Sequence, residues 1–420
     1  MAKNTVSPVI LATAGLSGAV LLFFIVALLV PEVANPELFT TLSSLQQYTK
    51  TFPENPTRDN KSIVKPEYET FYTENQPGFF GKTVGNLLQS AGVLAPNIWS
   101  SRTCAALMQQ LIEQREKKEY KGSHILKLKT PGKARFFVFG DQQGALHSLV
   151  RNLAKLKELE VLDENLKIKN DTDFIVFLGD VVSRSAYSLE ILMIIMRLIE
   201  KNPEHAFYVR GNHETDNYWQ NYGLKKQLEM MAESVLKSGE KFPMESLVGR
   251  FFLTLPVAIY AGVPSDPDSQ FVRFSHEGGD EFTIEKINIE LYASFLKKSS
   301  SDLIACFPIA GLSGSVDADG VETKAIVRCE VKRKSFQSMD GLRQLSPEDG
   351  VPSWTIFSAP TAIYQEGVSF FNDSFGMIKT ADDIDDWTIT LYYQDVRKLD
   401  GYKTRACNLI SGEEVAESKE

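Results

Sequence analysis

Three short apolar runs constrain this chain most. Each has the length of a strand, stops at a glycine, and is followed at once by a side chain able to hold a cation. Residues 134–139 (ARFFVF) end at Gly140-Asp141, residues 173–178 (DFIVFL) at Gly179-Asp180, and residues 206–210 (AFYVR) at Gly211-Asn212-His213. Runs this apolar are expected where both faces of a strand are covered. Helical patterns follow the first two. Leu146, Leu149, Leu153 and Leu156 fall on one face of a helix over 145–159, which is expected to carry His147 away from the loop to the surface, and a second helix is predicted over 188–199. Repeated strand–loop–helix units predict an α/β fold. In such sheets ligands gather at the carboxyl ends of the strands, so the three loops are expected to share one cleft.

Upstream, residues 103–120 carry a helical pattern with a charged end. The second half reads as strands: 251–255, 257–260, 271–275, 354–357, 369–371 and 387–393. A fourth polar loop, Ser275-His276-Glu277-Gly278-Gly279, follows the third of these. Residues 31–95 are polar and punctuated by proline, which predicts a linker with some docked segments. The main domain is placed at 96–395 and a tail at 396–420, its last ten residues expected to be disordered.

Composition narrows the partners. The net charge of −9 disfavours phosphate backbones, so nucleic acid is excluded as a bulk partner. The four cysteines (Cys104, Cys306, Cys329 and Cys407) show no CxxC spacing, which excludes a zinc knuckle and a dense disulfide framework. After a short tail (1–8), residues 9–30 form a 22-residue stretch without charge, long enough to cross a bilayer as a single-pass anchor. Lys3 precedes it and the next basic residue is Lys50, which favours a translocated main domain.

The loops carry a definite chemistry. Asp141, Gln143, Asp180, Asn212 and His276 offer carboxylate, amide and imidazole donors suited to a pair of divalent ions. Two such ions bind both oxygens of a phosphate and acidify a bridging water. Arg184 can hold phosphate oxygens as a bidentate fork, with Arg210 as a second cation, and His213 can act as general acid on the leaving oxygen.

In this order the blocks Gly140-Asp141-Gln142-Gln143-Gly144, Gly179-Asp180-Val181-Val182-Ser183-Arg184, Arg210-Gly211-Asn212-His213-Glu214 and Ser275-His276-Glu277-Gly278-Gly279 resemble those of the calcineurin-like metallophosphoesterases, phosphoprotein phosphatase family. Ser188-Leu189-Glu190 and Phe357-Ser358-Ala359-Pro360 extend the resemblance, which spans about residues 100–395. It implies a four-layer α/β/β/α sandwich and two divalent ions (manganese, iron, zinc or magnesium). Asp180 would bridge them, with Asp141 on the first and Asn212 and His276 on the second. It also implies hydrolysis of phosphate monoesters by metal-bound hydroxide, with phosphoserine or phosphothreonine of a protein partner as substrate. A protein substrate of that kind would be cytoplasmic, against the lone Lys3, and the side of the membrane stays open.

The chain departs from the family at three places. Gln143 replaces a ligand histidine. Ser183 and Ser185 replace the aspartate and glycine of the family's DRG. Cys329 and Glu330 stand where a late histidine is expected, and with Glu277 they are candidate substitute ligands. These departures define two rival expectations beside the hydrolase: a pseudophosphatase that binds without cleaving, and a nucleotide phosphohydrolase.

Overall fold

The computed structural model describes residues 39–51, 54, 57–58, 101–118, 120, 124–185, 187–225, 227–228, 244–276, 304–308, 322–329, 340–348, 351–363 and 368–416. The anchor expected at 9–30 and the candidate ligands Glu277 and Glu330 lie outside them. Among the described residues no helix is long and apolar enough to cross a membrane.

In chain order the strands are β1 (Thr57–Arg58), β2 (His124–Lys129), β3 (Arg135–Phe139), β4 (Asp173–Phe177), β5 (Ala206–Tyr208), β6 (Ala258–Val263), β7 (Asp266–Ser275), β8 (Ile304–Pro308), β9 (Glu322–Arg328), β10 (Leu342–Glu348), β11 (Val351–Ile356), β12 (Thr361–Ile363), β13 (Val368–Phe370), β14 (Asn372–Lys379), β15 (Thr388–Asp395) and β16 (Lys403–Asn408). The helices are α1 (Leu42–Thr51), α2 (Ser101–Lys117), α3 (Leu146–Glu158), α4 (Ser188–Lys201), α5 (Asp216–Trp219) and α6 (Met244–Leu253). Two mixed sheets dominate. One has the order β16-β15-β14-β3-β4-β5, the other β10-β11-β9-β7-β6-β2-β8, and a small sheet joins β1, β12 and β13.

Strand β3 shows why the expected α/β architecture forms. Phe136 and Val138 point toward the seven-stranded sheet, into a core with Phe274, Val327 and Ile356. Phe137 and Phe139 point the other way, toward helices α2, α3, α4 and α6. Alternate side chains of one strand thus feed two cores, so the run reads as apolar throughout. Each fully buried Phe or Leu contributes about 1.5–3 kcal/mol relative to exposure. Three layers of the expected sandwich are present among the described residues: helices, the six-stranded sheet and the seven-stranded sheet.

Three expectations are corrected. Residues 251–255 are not a strand, since Phe251 and Phe252 close helix α6. Buried Met244, Leu247, Val248, Phe251 and Phe252 follow the i, i+3, i+4, i+7, i+8 pattern, and the helical period begins upstream of the short window that suggested alternation. The sheet also continues past 395. Strand β16 pairs antiparallel with β15 and buries Cys407 in the inter-sheet core, while Asn408 and Val415 close a turn through hydrogen bonds from Asn408 N to Glu413 O and from Val415 N to Ala406 O. Residues 411–416 are therefore ordered against the sheet rather than disordered. Finally His147, expected on the surface, is buried; its Nε2 lies 3.1 Å from Thr49 O, joining α3 to α1. That contact docks part of the expected linker.

Candidate active site

The loops after β3, β4 and β5 meet at one edge of the six-stranded sheet. Parallel pairing of β3 with β4 and of β4 with β5 aligns their carboxyl ends. Backbone hydrogen bonds then tie the loops together. Gln142 N and Gln143 N donate to Asp180 O at 3.1 and 2.8 Å, and Gly144 N donates to Val181 O at 2.8 Å. His213 N donates to Asp180 Oδ1 at 2.8 Å, so the third loop reaches the carboxylate of the second.

Glu214 locks this junction, a role the sequence reading did not assign. Its Oε2 accepts from Asp180 N and Gly211 N at 2.9 and 2.8 Å. Its Oε1 accepts from Val181 N at 3.0 Å and from the Tyr208 hydroxyl at 2.7 Å. Burial and the neighbouring Asp180 charge push the Glu214 carboxyl above its ordinary range. A glutamate three residues after a helix-capping position, bonded back to the cap N–H, was the available signal. Gly211 permits the approach, because a Cβ there would sit 2.4 Å from Asp180 N and 2.6 Å from Glu214 Oε2.

The backbone of these loops is strained. Gln143, Asp180, Ser183 and Arg184 have φ of 44°, 48°, 82° and 61°, in the left-handed region that costs an L-residue about 1–2 kcal/mol. Such conformations persist where surrounding contacts over-determine them, and they concentrate at functional sites.

The side chains converge from both sheets. Asp180 faces two histidines: its Oδ1 lies 3.3 Å from His276 Nε2, and its Oδ2 lies 3.6 Å from His213 Nε2. The second distance is too long for a hydrogen bond. Arg184 Nη2 is 3.2 Å from His213 Nε2. A guanidinium only donates, so this nitrogen of His213 holds its lone pair toward Arg184. Arg184 also lies over the Tyr222 ring at 5.5 Å, and Tyr218 and Tyr222 stack at 5.8 Å beside His213. Asn212 opens the turn of residues 212–214 and is half-buried. Arg210 is buried with its charge beside Glu214, and burial lowers its pKa. Ser183, standing where the family has an aspartate, is buried and its N–H donates to Ser188 Oγ at 2.8 Å.

The seven-stranded sheet supplies the remaining donors. His276 follows β7, and Cys329 follows β9, which runs parallel to it. Cys329 N donates to His276 O at 3.2 Å, continuing the ladder beyond both strands. His276 Nδ1 lies 3.0 Å from Cys329 Sγ and 3.1 Å from Leu178 O. Of the candidate substitute ligands, the structure therefore brings Cys329 into the cleft. Burial pushes its thiol well above the ordinary range, while His276 draws it back. Phe357 bridges to Asp141, and Ser358 Oγ accepts from Gly140 N at 2.8 Å, so the 357–360 segment braces the first loop.

The donor set fits a divalent metal. Ligand atoms of Asp141, His276 and Cys329 lie within 4.8 Å of one another, and all three residues are buried. Gln143 is nearby, its Nε2 donating to Asp141 Oδ2 at 3.3 Å.

The chain is similar in sequence to known phosphoesterases. Residues 134–327 match the model of the calcineurin-like phosphoesterases. The chain carries a calcineurin-like phosphoesterase domain. Its curated relatives are serine/threonine-protein phosphatases. Serine/threonine-protein phosphatase T of Saccharomyces cerevisiae is 29% identical over 24% of this chain and 20% of its own length. Serine/threonine-protein phosphatase 5 of Homo sapiens is 31% identical over 29% of this chain and 21% of its own length. The chain thus spans about a fifth of the length of these two relatives. Among solved structures, a protein serine/threonine phosphatase of Saccharomyces cerevisiae aligns over 72% of this chain and 87% of its own, at 18% identity and a TM-score of 0.40.

Proposed function

We propose that this chain is a metal-dependent phosphoesterase that cleaves phosphate monoesters, phosphoserine and phosphothreonine in proteins foremost, and that residues 9–30 anchor it in a membrane. One observation carries the hydrolase reading: Asp141, Asp180, Arg184, His213 and His276 come from four loops and meet in one cleft, with Asp180 between the two imidazoles. The names of the relatives support the substrate class. The uncharged stretch at 9–30 supports the anchor.

Asp141, Asp180, Asn212, His276 and Cys329 would hold divalent metal, with Gln143 beside them. When bound, the metal supplies Lewis-acid charge to phosphate oxygens and lowers the pKa of water. Arg184 grips phosphate oxygens and places the ester against His213. His213 is the group placed to pass a proton to the leaving oxygen, its ring set between Asp180, Arg184 and the two tyrosines. Glu214 holds the Asp180 and His213 loops in register, so the substrate meets groups that need no rearrangement. Tyr218 and Tyr222 wall one side of His213 and limit water there.

The test uses the full chain in detergent, with an aryl phosphate and a phosphoserine peptide, each assayed with manganese, magnesium and zinc. Turnover of both is expected with at least one ion. No turnover of either substrate with any ion rejects the hydrolase. Release of the chain from membranes by alkaline carbonate, without detergent, rejects the anchor.

A further inference from the structure

The cleft has an aromatic wall that the chemistry at phosphate does not use. Tyr218 and Tyr222 follow the third loop and are half-buried, while the His213 imidazole they border is buried. Their ring centroids lie 5.0 and 5.3 Å from that of His213. The two phenol rings are nearly parallel, 9° between planes and 5.8 Å between centroids, which makes an offset stack beside the imidazole.

This wall is fastened on several sides. Trp219, next in the chain to Tyr218, is buried and anchors the turn. Tyr218 N donates to Thr215 O at 3.0 Å, and Tyr222 N donates to Tyr218 O at 3.0 Å. Arg184 N donates to Tyr222 O at 3.1 Å, which ties the wall to the residue that grips phosphate. The Arg184 guanidinium also lies 5.5 Å from the Tyr222 ring centroid. Clamp, imidazole and tyrosines thus form one fixed unit. An ester held by Arg184 with its bridging oxygen toward His213 carries its organic group past that imidazole, where the tyrosines stand. A seryl or threonyl side chain is too small to cover such a wall. A phenol ring has the size and the flat face to pack on it, in the offset or edge-to-face geometry that aromatic pairs favour.

We propose that Tyr218 and Tyr222 form a seat for the aromatic ring of phosphotyrosine, with Tyr218 the residue that favours aryl over alkyl phosphate. This rests on the reading of the cleft as a phosphoesterase site and adds a recognition element for the group beyond the ester oxygen. Tyr222 is committed to Arg184 through both backbone and ring, so Tyr218 is the ring whose removal tests selectivity with the clamp in place.

The experiment reads binding apart from turnover. The full chain in detergent with manganese is titrated by calorimetry with phenylphosphonate and with methylphosphonate, which carry an aryl and an alkyl group and are not hydrolysed. Phenylphosphonate should bind about tenfold more tightly. Tyr218→Ala should erase that ratio and Tyr218→Phe should keep it. Turnover is then compared on phosphotyrosine and phosphoserine peptides of otherwise identical sequence. Tyr218→Ala should lower the tyrosine-to-serine ratio of kcat/KM about tenfold, and Tyr218→Phe should restore it. Thermal unfolding identifies a variant that fails to fold, and Tyr218→Leu then takes the place of Tyr218→Ala. Equal affinity of the wild-type chain for the two phosphonates, an affinity ratio that survives loss of the ring in a folded variant, or cleavage of the phosphoserine peptide alone each overturns the proposal. A chain that shows the phosphonate ratio and cleaves neither peptide sinks the hydrolase reading and leaves the aryl seat, whereas one that cleaves the phosphoserine peptide without the ratio sinks only the seat.

Discussion

The two sheets build the cleft in different ways. The six-stranded sheet contributes Asp141, Asp180 and the Asn212–Glu214 turn from the ends of three adjacent parallel strands. Each donor sits two to four residues after its strand. The seven-stranded sheet contributes His276 and Cys329, which are 53 residues apart in sequence and meet only because β7 and β9 pair. In the register that joins Phe274 to Val327, the residues just past the strands come side by side. One half of the site is therefore the product of local punctuation, the other of long-range pairing. The difference extends to chemistry. The local half retains hard oxygen donors and the strained turns, and the paired half holds the imidazole–thiol contact.

This contrast can be broken at the residue that joins the halves. Asp180 faces histidines of both, so Asp180→Asn should reduce turnover of an aryl phosphate by about 10³-fold. The asparagine oxygen can still accept from His213 N, so the variant should unfold at the wild-type denaturant midpoint. Retained turnover would mean that the halves are coupled through another group.

The local half depends on Glu214 for its shape. Glu214→Gln replaces one of two acceptor oxygens with a donor, set either against Asp180 N and Gly211 N or against Val181 N and the Tyr208 hydroxyl. A loss of about 3–4 kcal/mol in urea unfolding is expected. A change within a few tenths would show that the loops hold their register without the clamp.

The helix layer behind the local half carries its own titration. Glu190 on α4 is buried, bonded by the Tyr48 hydroxyl at 3.2 Å and by Gln227 at 3.3 Å. Burial pushes its carboxyl up from 4.5 to about 7. A folded-state value above the unfolded one means that the native chain keeps a proton the unfolded chain has released. That contribution is complete below about 4.5 and is lost as pH rises through about 7, a change of about 3 kcal/mol. Urea midpoints between pH 4.5 and 8 should fall accordingly, and Glu190→Gln should flatten that slope. An identical slope in the variant would place the titration elsewhere.

The smallest effect concerns the hard side of the cleft. Gln143→His restores an imidazole there and should tighten manganese binding about tenfold by isothermal titration. Unaltered affinity would show that residue 143 does not face the ion.

Which parts were legible follows from the same contrast. Strands β3, β4 and β5, helices α3 and α4, and the loops at 140–144, 179–184 and 210–214 could be read because their signals are contiguous. Apolar runs, a glycine stop and a polar donor all fall within a few residues. Helix α6 was misread because five residues carry too little of a 3.6 period. Strand β16 was missed because a short edge strand of mixed polarity shows its role only beside β15. Cys329 and Glu330 were equal candidates in the sequence, and only the pairing of β9 with β7 brings Cys329 against His276.

By itself, then, the sequence determined the α/β class, the order of the polar loops and the candidates Asp141, Asp180, Asn212, His213 and His276 that those loops carry. All of these arise from local periodicity and turn chemistry. The tertiary structure decided that Cys329 joins them, that Glu214 clamps the loops, and that the tail closes the six-stranded sheet. The physical reason is that strand pairing and burial act between residues tens of positions apart, where local pattern carries no record of which partner will be met.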